Sequence, residues 1–515
     1  MKRQISLLLI FLSISLTHLF AQAPSIQWQR SYGGSSNDAL NAIQLTTDGG
    51  YVAIGFSSSS NGDVAFNHGG MDFWMLKMDV AGNIQWQKSL GGSAADFAYD
   101  IYQTSDGGYI AAGFSYSTDG DISSHISQSD GWVMKMNSVG AIEWEHSYGG
   151  SGNDGINSIQ QTNDGGYILA GYSNSFDGNS TGNNGGNDLW ILKLSSTGAE
   201  EWHLMLGGSS DDQGRCVKQT NDGGYCIVGY ANSVDGTATG NHGSSDYFVV
   251  KLNANGGILW QKLFGGTQND CALSFDIAQD GNYVIAGNSS SNDGQVTGAH
   301  GGIDQWVIKV DNSGQLIWQK TFGGLLDDSA FGNITTQEGG GIVVGASKSN
   351  DGDLTLNHGG TDYWAVKFTS NGVLEWQKSM GGTADEQAKP VLQTSDGGFL
   401  IGGHSSSNNG DLTANQGITD YWFVKLNTQT GTKDEVSIDG WNVYPTPFRD
   451  ELIIHCDNLK DNGVNFQLVD QLGRLVVKGE VSSTDTHLPT QHLESGMYFF
   501  TLGNSTLDRL KLIKE

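Results

Sequence analysis

Short apolar runs alternate with polar turns along this chain, and the alternation repeats with a fixed period. In the first copy the runs cover residues 39–45, 51–56, 73–78 and 84–90. Each has strand length, and Gly-rich or Asp/Asn-rich segments such as Asp48-Gly49-Gly50 separate them. Tyr51-Val52-Ala53-Ile54 is apolar on both faces, which predicts a strand buried between two layers. The fourth run of each copy carries a tryptophan. Trp28, Trp86, Trp144, Trp202, Trp260, Trp318 and Trp376 follow one another at steps of 58 residues, without insertion or deletion.

Other landmarks keep step with the tryptophans. Ten residues after each stands an acidic side chain: Asp38, Asp96, Asp154, Asp212, Asp270, Asp328 and Glu386. A frame Asp-x-aromatic-x-x-Lys recurs from Asp72–Lys77 to Asp420–Lys425, with Phe248 alone replacing its tryptophan. Four short antiparallel strands per copy predict a propeller blade. A solenoid needs polar caps at both ends, and none is found. Instead the repeat region begins with a lone fourth strand around Trp28 and ends with three strands and no fourth. Pairing the two would complete a last blade and remove an open sheet edge. The predicted fold is therefore all-β: a seven-bladed β-propeller with terminal-strand closure, followed by a small β-sandwich.

The Asp-Gly-Gly-Tyr turn and Trp-Gln-Lys strand resemble those of bacterial propeller-repeat proteins over residues 23–427. That resemblance implies a fold and leaves function open, since propellers host many activities. Beyond Asn427 the period stops and glycine thins out. The expected plan is a signal peptide at 1–21, the propeller at 22–427, a linker at 428–440 and a C-terminal domain at 441–515. Lys2 and Arg3, an apolar run to Phe20 and small residues at Ala21 and Ala23 make the start read as a secretory leader. No other apolar stretch approaches the length of a membrane span.

The C-terminal segment resembles the type A sorting domain of the type IX secretion system of Bacteroidetes. The matching residues are Val443-Tyr444-Pro445-Thr446-Pro447, Val469-Asp470-Gln471-Leu472-Gly473-Arg474, Leu493-Glu494-Ser495-Gly496-Met497-Tyr498 and Lys511-Leu512-Ile513-Lys514. The family usually has Asn where Thr446 stands. The sorting-signal residues expected from the resemblance are Tyr444, Pro445, Pro447, Gly473, Gly496, Tyr498, Lys511 and Lys514. It implies recognition by the secretion machinery and a protein that is secreted or attached to the outer cell surface.

Charge narrows the partners. Asp and Glu number 55 against 26 Lys and Arg, a formal net charge of −29. Such a surface repels phosphate backbones, so nucleic acid is not an expected partner. Export permits disulfides. Cys216 and Cys226 flank a turn almost symmetrically, as cross-strand partners would, yet position 226 is apolar in every other repeat, which suits an unpaired thiol.

A residue repeated sevenfold is first a structural residue. The seven frame lysines and the acidic residues ten after each Trp are expected to form blade-to-blade ion pairs. His68, His242, His300 and His358 recur before Gly and read as turn or surface residues, because equivalent atoms on separate blades cannot converge on one ion. Asn61-Gly62-Asp63, Asp119-Gly120-Asp121, Asp351-Gly352-Asp353 and Asn409-Gly410-Asp411 offer clustered oxygens that calcium would take, but the full calcium-loop spacing is absent. No catalytic residue, cofactor site or metal site is assigned. Two departures from symmetry mark a candidate ligand patch: Arg215, one of two Arg in the repeats, and His125, where Asn-His-Gly-Gly is replaced. The expected role is non-catalytic binding, adhesion or scaffolding toward a glycan or protein. The alternative is a polysaccharide hydrolase or lyase with its site at the channel mouth.

Overall fold

A computed structural model describes residues 23–126, 128–428, 436–438, 441–444, 451–456, 464–470, 474–481, 485–494, 496–502 and 510–514. The expected signal peptide and most of the expected linker lie outside these residues. The chain divides into two compact units, Ala23–Thr430 and one containing Gly431–Glu515.

The first unit holds seven four-stranded antiparallel sheets. After an isolated first strand β1 (Ile26–Tyr32), blade one is β2 (Asp38–Leu45), β3 (Tyr51–Ser57), β4 (Asp72–Met78) and β5 (Ile84–Leu90), hydrogen-bonded in that order. The last blade is completed by β1, which pairs with Asp420–Leu426 in the register Trp28↔Lys425 to Tyr32↔Tyr421. Trp86 of β5 meets Lys77 of β4 in the same way. The closing strand thus reproduces the ordinary blade register across a separation of nearly 400 residues.

Apolar packing runs between blades. The middle strands are buried along their whole length, as β4 shows. Phe73 packs on Trp132 of the next blade with ring centroids 4.7 Å apart, and Tyr421 packs on Trp74 at 4.5 Å. Tyr421, Tyr363 and Tyr247 also donate their hydroxyls to the carbonyls of Trp74, Trp422 and Trp306 at 2.9, 3.0 and 2.8 Å. A buried phenol needs such an acceptor, and here the acceptor fixes the angle to the neighbouring blade.

The polar frame differs from the expectation. The frame lysines pair within their own blade, with the aspartate of the Asp-Gly-Gly turn: Lys77 with Asp48 at 2.9 Å and Lys309 with Asp280 at 2.6 Å. In blade six Glu338 replaces that aspartate, and Lys367 pairs with Glu375 at 2.6 Å. The reason is positional: the β2–β3 turn delivers its carboxylate beside the end of β4. The acidic residue ten after each Trp sits at the opposite end of the blade. Asp38 is fully buried and accepts from Gly34 N–H at 2.7 Å, Ser59 Oγ at 2.9 Å and Ser57 Oγ. It clamps a corner. Histidine supplies cross-blade polar pairs: His68 Nδ1 lies 2.9 Å from Asp72 of its own blade, and its Nε2 lies 3.7 Å from Asp121 of the next blade.

Cys216, Cys226 and Cys271 are unpaired. Cys216 stands opposite Val228 and Cys226 opposite Lys218, so the two thiols are diagonal neighbours. Diagonal side chains lie about 7–8 Å apart, too far for a disulfide.

The C-terminal unit is two four-stranded sheets. One contains Trp441–Tyr444 and Glu451–Cys456, the other Val464–Asp470 and Gly496–Leu502. Val443, Ile454, Phe466, Leu468 and Phe500 share their core, as expected of a small sandwich.

Candidate ligand site in the propeller channel

The seven innermost strands, of which β2 is the first, line a central channel. Each carries a bulge, at Leu40/Ala42 in β2, which turns consecutive side chains inward. Three rings of residues result.

Two rings stitch the blades together. Asp100 Oδ2 accepts the Ile159 N–H at 2.9 Å and the Ser158 hydroxyl at 3.0 Å. In the same ring the Ser274 hydroxyl oxygen accepts the Asn333 N–H at 3.2 Å. Nearer the Asp-Gly-Gly turns, Gln160 accepts the Gln219 N–H at 2.7 Å and Asp276 the Thr335 N–H at 2.8 Å. Lys218 Nζ lies 2.7 Å from Asp276. Burial pushes Asp100 up to about 6, partly offset by its donors. Burial acts on Asp276 as well, but the Lys218 ammonium and the Thr335 donors hold it below the usual range. Both channel carboxylates are occupied in joining neighbouring blades.

The third ring is at the channel mouth, thirteen residues after each Trp: Asn41, Tyr99, Asn157, Arg215, Leu273, Phe331 and Lys389. Its two asparagines stitch, donating to Ala98 O at 2.6 Å and Gly214 O at 2.8 Å. The other five are unlike one another. With Tyr230, Asn288 and Gln387 they surround a cavity of ≈ 510 Å³ whose lining contains no carboxylate. The lining includes the aromatic side chains Tyr99, Tyr230 and Phe331. Behind Tyr99, Phe114 stacks on it at 5.7 Å and lies 5.1 Å from Phe97, which meets Phe56 at 5.1 Å. Two cations share the lining. The Arg215 guanidinium lies 5.5 Å from the Tyr230 ring centre, and Lys389 Nζ donates to Asn41 Oδ1 at 2.7 Å. Burial, with Arg215 adding to it, lowers the Lys389 ammonium to about 8. Burial and Lys389 lower nearby His404 to about 3, so that imidazole is neutral.

The structure places the other marked residues elsewhere. His125 is not part of the mouth; its Nδ1 lies 3.1 Å from Asp130, the place His68 takes beside Asp72. The Asn-Gly-Asp carboxylates clamp corners: Asp63 accepts from Gly33 N–H at 3.2 Å and Gln416 Nε2 at 2.6 Å. Among the described residues no group of three His, Cys, Asp or Glu side chains is arranged to hold a metal ion. In the C-terminal unit Tyr444 pairs with Ile453, Gly496 with Lys514 and Lys511 with Phe499. Tyr498 is buried and donates to Glu494 O at 2.7 Å; Lys514 is also buried. Pro445, Pro447 and Gly473 lie outside the described residues. Aligning the seven copies shows three variable inward-facing columns, thirteen, fourteen and sixteen residues after each Trp, and nothing in the alignment says which of them lines the mouth.

Residues 442–515 match the secretion system C-terminal sorting domain. A stretch of 194 residues is 26% identical to the regulatory protein FlaEY of Caulobacter vibrioides. It covers 34% of this chain and 20% of that protein, so the chain spans about a fifth of the relative's length. Among solved structures the chain is similar to PorZ of Porphyromonas gingivalis, a surface component of the type IX secretion system, at 12% identity and a TM-score of 0.40, covering 94% of this chain and 60% of that one. It is similar to the Neurospora crassa Pan2 WD40 domain at 11% identity and a TM-score of 0.42, covering 78% and 97%. With seven blades and that terminal domain, the chain is an exported β-propeller that carries a type IX secretion sorting domain and is secreted or held on the outer cell surface.

Proposed function

We propose that the propeller is a non-catalytic glycan-binding module whose site is the channel mouth. The observation that carries this is the mouth ring, where aromatic, aliphatic, amide and basic side chains replace one another around a cavity whose lining holds no carboxylate. Aromatic faces stack on sugar rings, while amides such as Asn288 and Gln387 suit hydroxyl groups. Cleavage has less support. A glycosidase uses two carboxylates flanking the scissile bond, whereas Asp100 and Asp276 bind the backbone of neighbouring blades and the mouth has no carboxylate.

The test is calorimetric titration of the full chain with a panel of neutral and acidic oligosaccharides, beside Tyr99→Ala and Phe331→Ala. Binding by at least one oligosaccharide, weakened in both variants with the melting temperature unchanged, is the expected result. Shortening of a polysaccharide on incubation would turn the reading to catalysis. Silence across the panel would overturn it.

A further inference from the structure

We infer that the mouth recognises an anionic group on its ligand, the carboxylate or sulfate of an acidic sugar, held between Arg215 and Lys389. This rests on the glycan-binding reading and narrows its substrate class.

The protein has 26 basic residues against 55 acidic ones, and other cations without an ion pair, such as Lys88, Lys262 and Lys320, stand on the fourth strands of their blades, away from the channel. The frame lysines are ion-paired, and Lys218 is paired with Asp276. Arg215 and Lys389 come from blades four and seven and share a lining without a carboxylate. Neither has an ion-pair partner among the described residues. Arg215 Nε is buried without a hydrogen-bond acceptor, and the acceptor for Lys389 is the neutral amide oxygen of Asn41. Two like charges facing one cavity are costly, because each disfavours the other and both lose water. The lowered Lys389 ammonium expresses that cost. An anion between them removes it. Carboxylates and sulfates accept charge-assisted hydrogen bonds, and guanidinium takes a carboxylate through two parallel N–H groups. The aromatic faces in the same lining, such as Tyr99 and Phe331, then receive the sugar ring.

The acidic exterior sets a limit. A long polyanion is repelled by a surface of net charge −29. One acidic unit at a chain end, seated inside the ring of blades, meets the cations without laying further charges across that surface.

The experiment titrates the full chain with a galacturonate trimer, a sulfated galactose trimer and a neutral galactose trimer. The expected result is binding of an acidic trimer at least about tenfold tighter than of the neutral one. Which acidic trimer binds tells carboxylate from sulfate. Arg215→Gln and Lys389→Gln should each weaken the acidic trimer about 10- to 100-fold, a loss several-fold larger than for the neutral one, with part of it restored in Arg215→Lys. Melting curves of each variant separate loss of the site from loss of the fold. Equal affinity for neutral and acidic trimers, or indifference to both glutamine variants, overturns the inference and leaves the glycan reading standing. Absence of binding by any saccharide overturns both.

Discussion

Side chains that look alike in the repeat have opposite electrostatic duties. Asp96, Asp154, Asp212, Asp270 and Asp328, ten residues after the Trp of their repeats, are fully buried and raised by burial, yet each accepts several donors. Asp96→Ala would strand the Gly92 N–H and the Ser115 and Ser117 hydroxyls. Each buried donor left unpaired costs about 1–3 kcal/mol. Urea unfolding of Asp96→Ala should therefore show a loss of at least about 2 kcal/mol; an unchanged midpoint would mean the hydroxyls find other acceptors. Lys389 provides a different test. Its ammonium titrates near 8, so it is charged below that pH and neutral above. Affinity for an acidic saccharide should fall as pH rises from 7 to 9, and Lys389→Gln should abolish the dependence. A flat profile in the unaltered protein would remove Lys389 from the site.

At the scale of elements, β1 is the strand on which closure depends. It pairs with Asp420–Leu426, and Trp28 and Tyr32 pack against the core between the last and first blades. Removing residues 25–32 exposes a sheet edge and part of that core. The expected outcome is a single melting transition of the whole propeller at lower temperature. Fraying of one blade with the main transition unmoved would mean that the ring is held by its inter-blade cores alone. The expected strands agreed with the observed ones to within a residue at each end in blade one. Short apolar runs bounded by Gly and Asp leave the backbone little choice. The ion pairs were less legible, because a sevenfold column of lysines and two sevenfold columns of acidic residues do not say which end of the blade each occupies.

For the whole molecule, pH and export supply the tests. Burial holds Asp100, Asp188, Asp304 and Asp420 up at about 6, above their ordinary 3.8. Each binds its proton more tightly folded than unfolded, so its contribution to stability is complete below about pH 4 and lost as pH rises through 6. His404 opposes them: lowered to about 3, its contribution is lost as pH falls through the same window. The turn aspartates Asp48, Asp106 and Asp222, held near 2, have finished titrating by pH 5. Four groups against one predict a melting temperature higher at pH 5 than at pH 7.5. The opposite slope in calorimetry would mean that the buried carboxylates keep their charge. Removal of residues 442–515 takes away the sorting domain. Cell fractionation should then find the protein retained inside the outer membrane; continued appearance outside would show a second export signal.

The sequence by itself determined the number of blades, their strands, the closing pair and the sorting domain. All follow from local signals: a 58-residue period, strand-length apolar runs and short motifs. Arg215 stood out for its rarity, but His125, marked beside it, belongs to a loop clamp. Only the tertiary structure decided which of the inward-facing columns is free. Asp100, Ser274 and Gln160 face the channel yet bind the next blade, whereas Arg215, Phe331 and Tyr99 face the cavity at the mouth. Residues 58 or more positions apart become neighbours when the ring closes, and that distance is outside the reach of any local pattern.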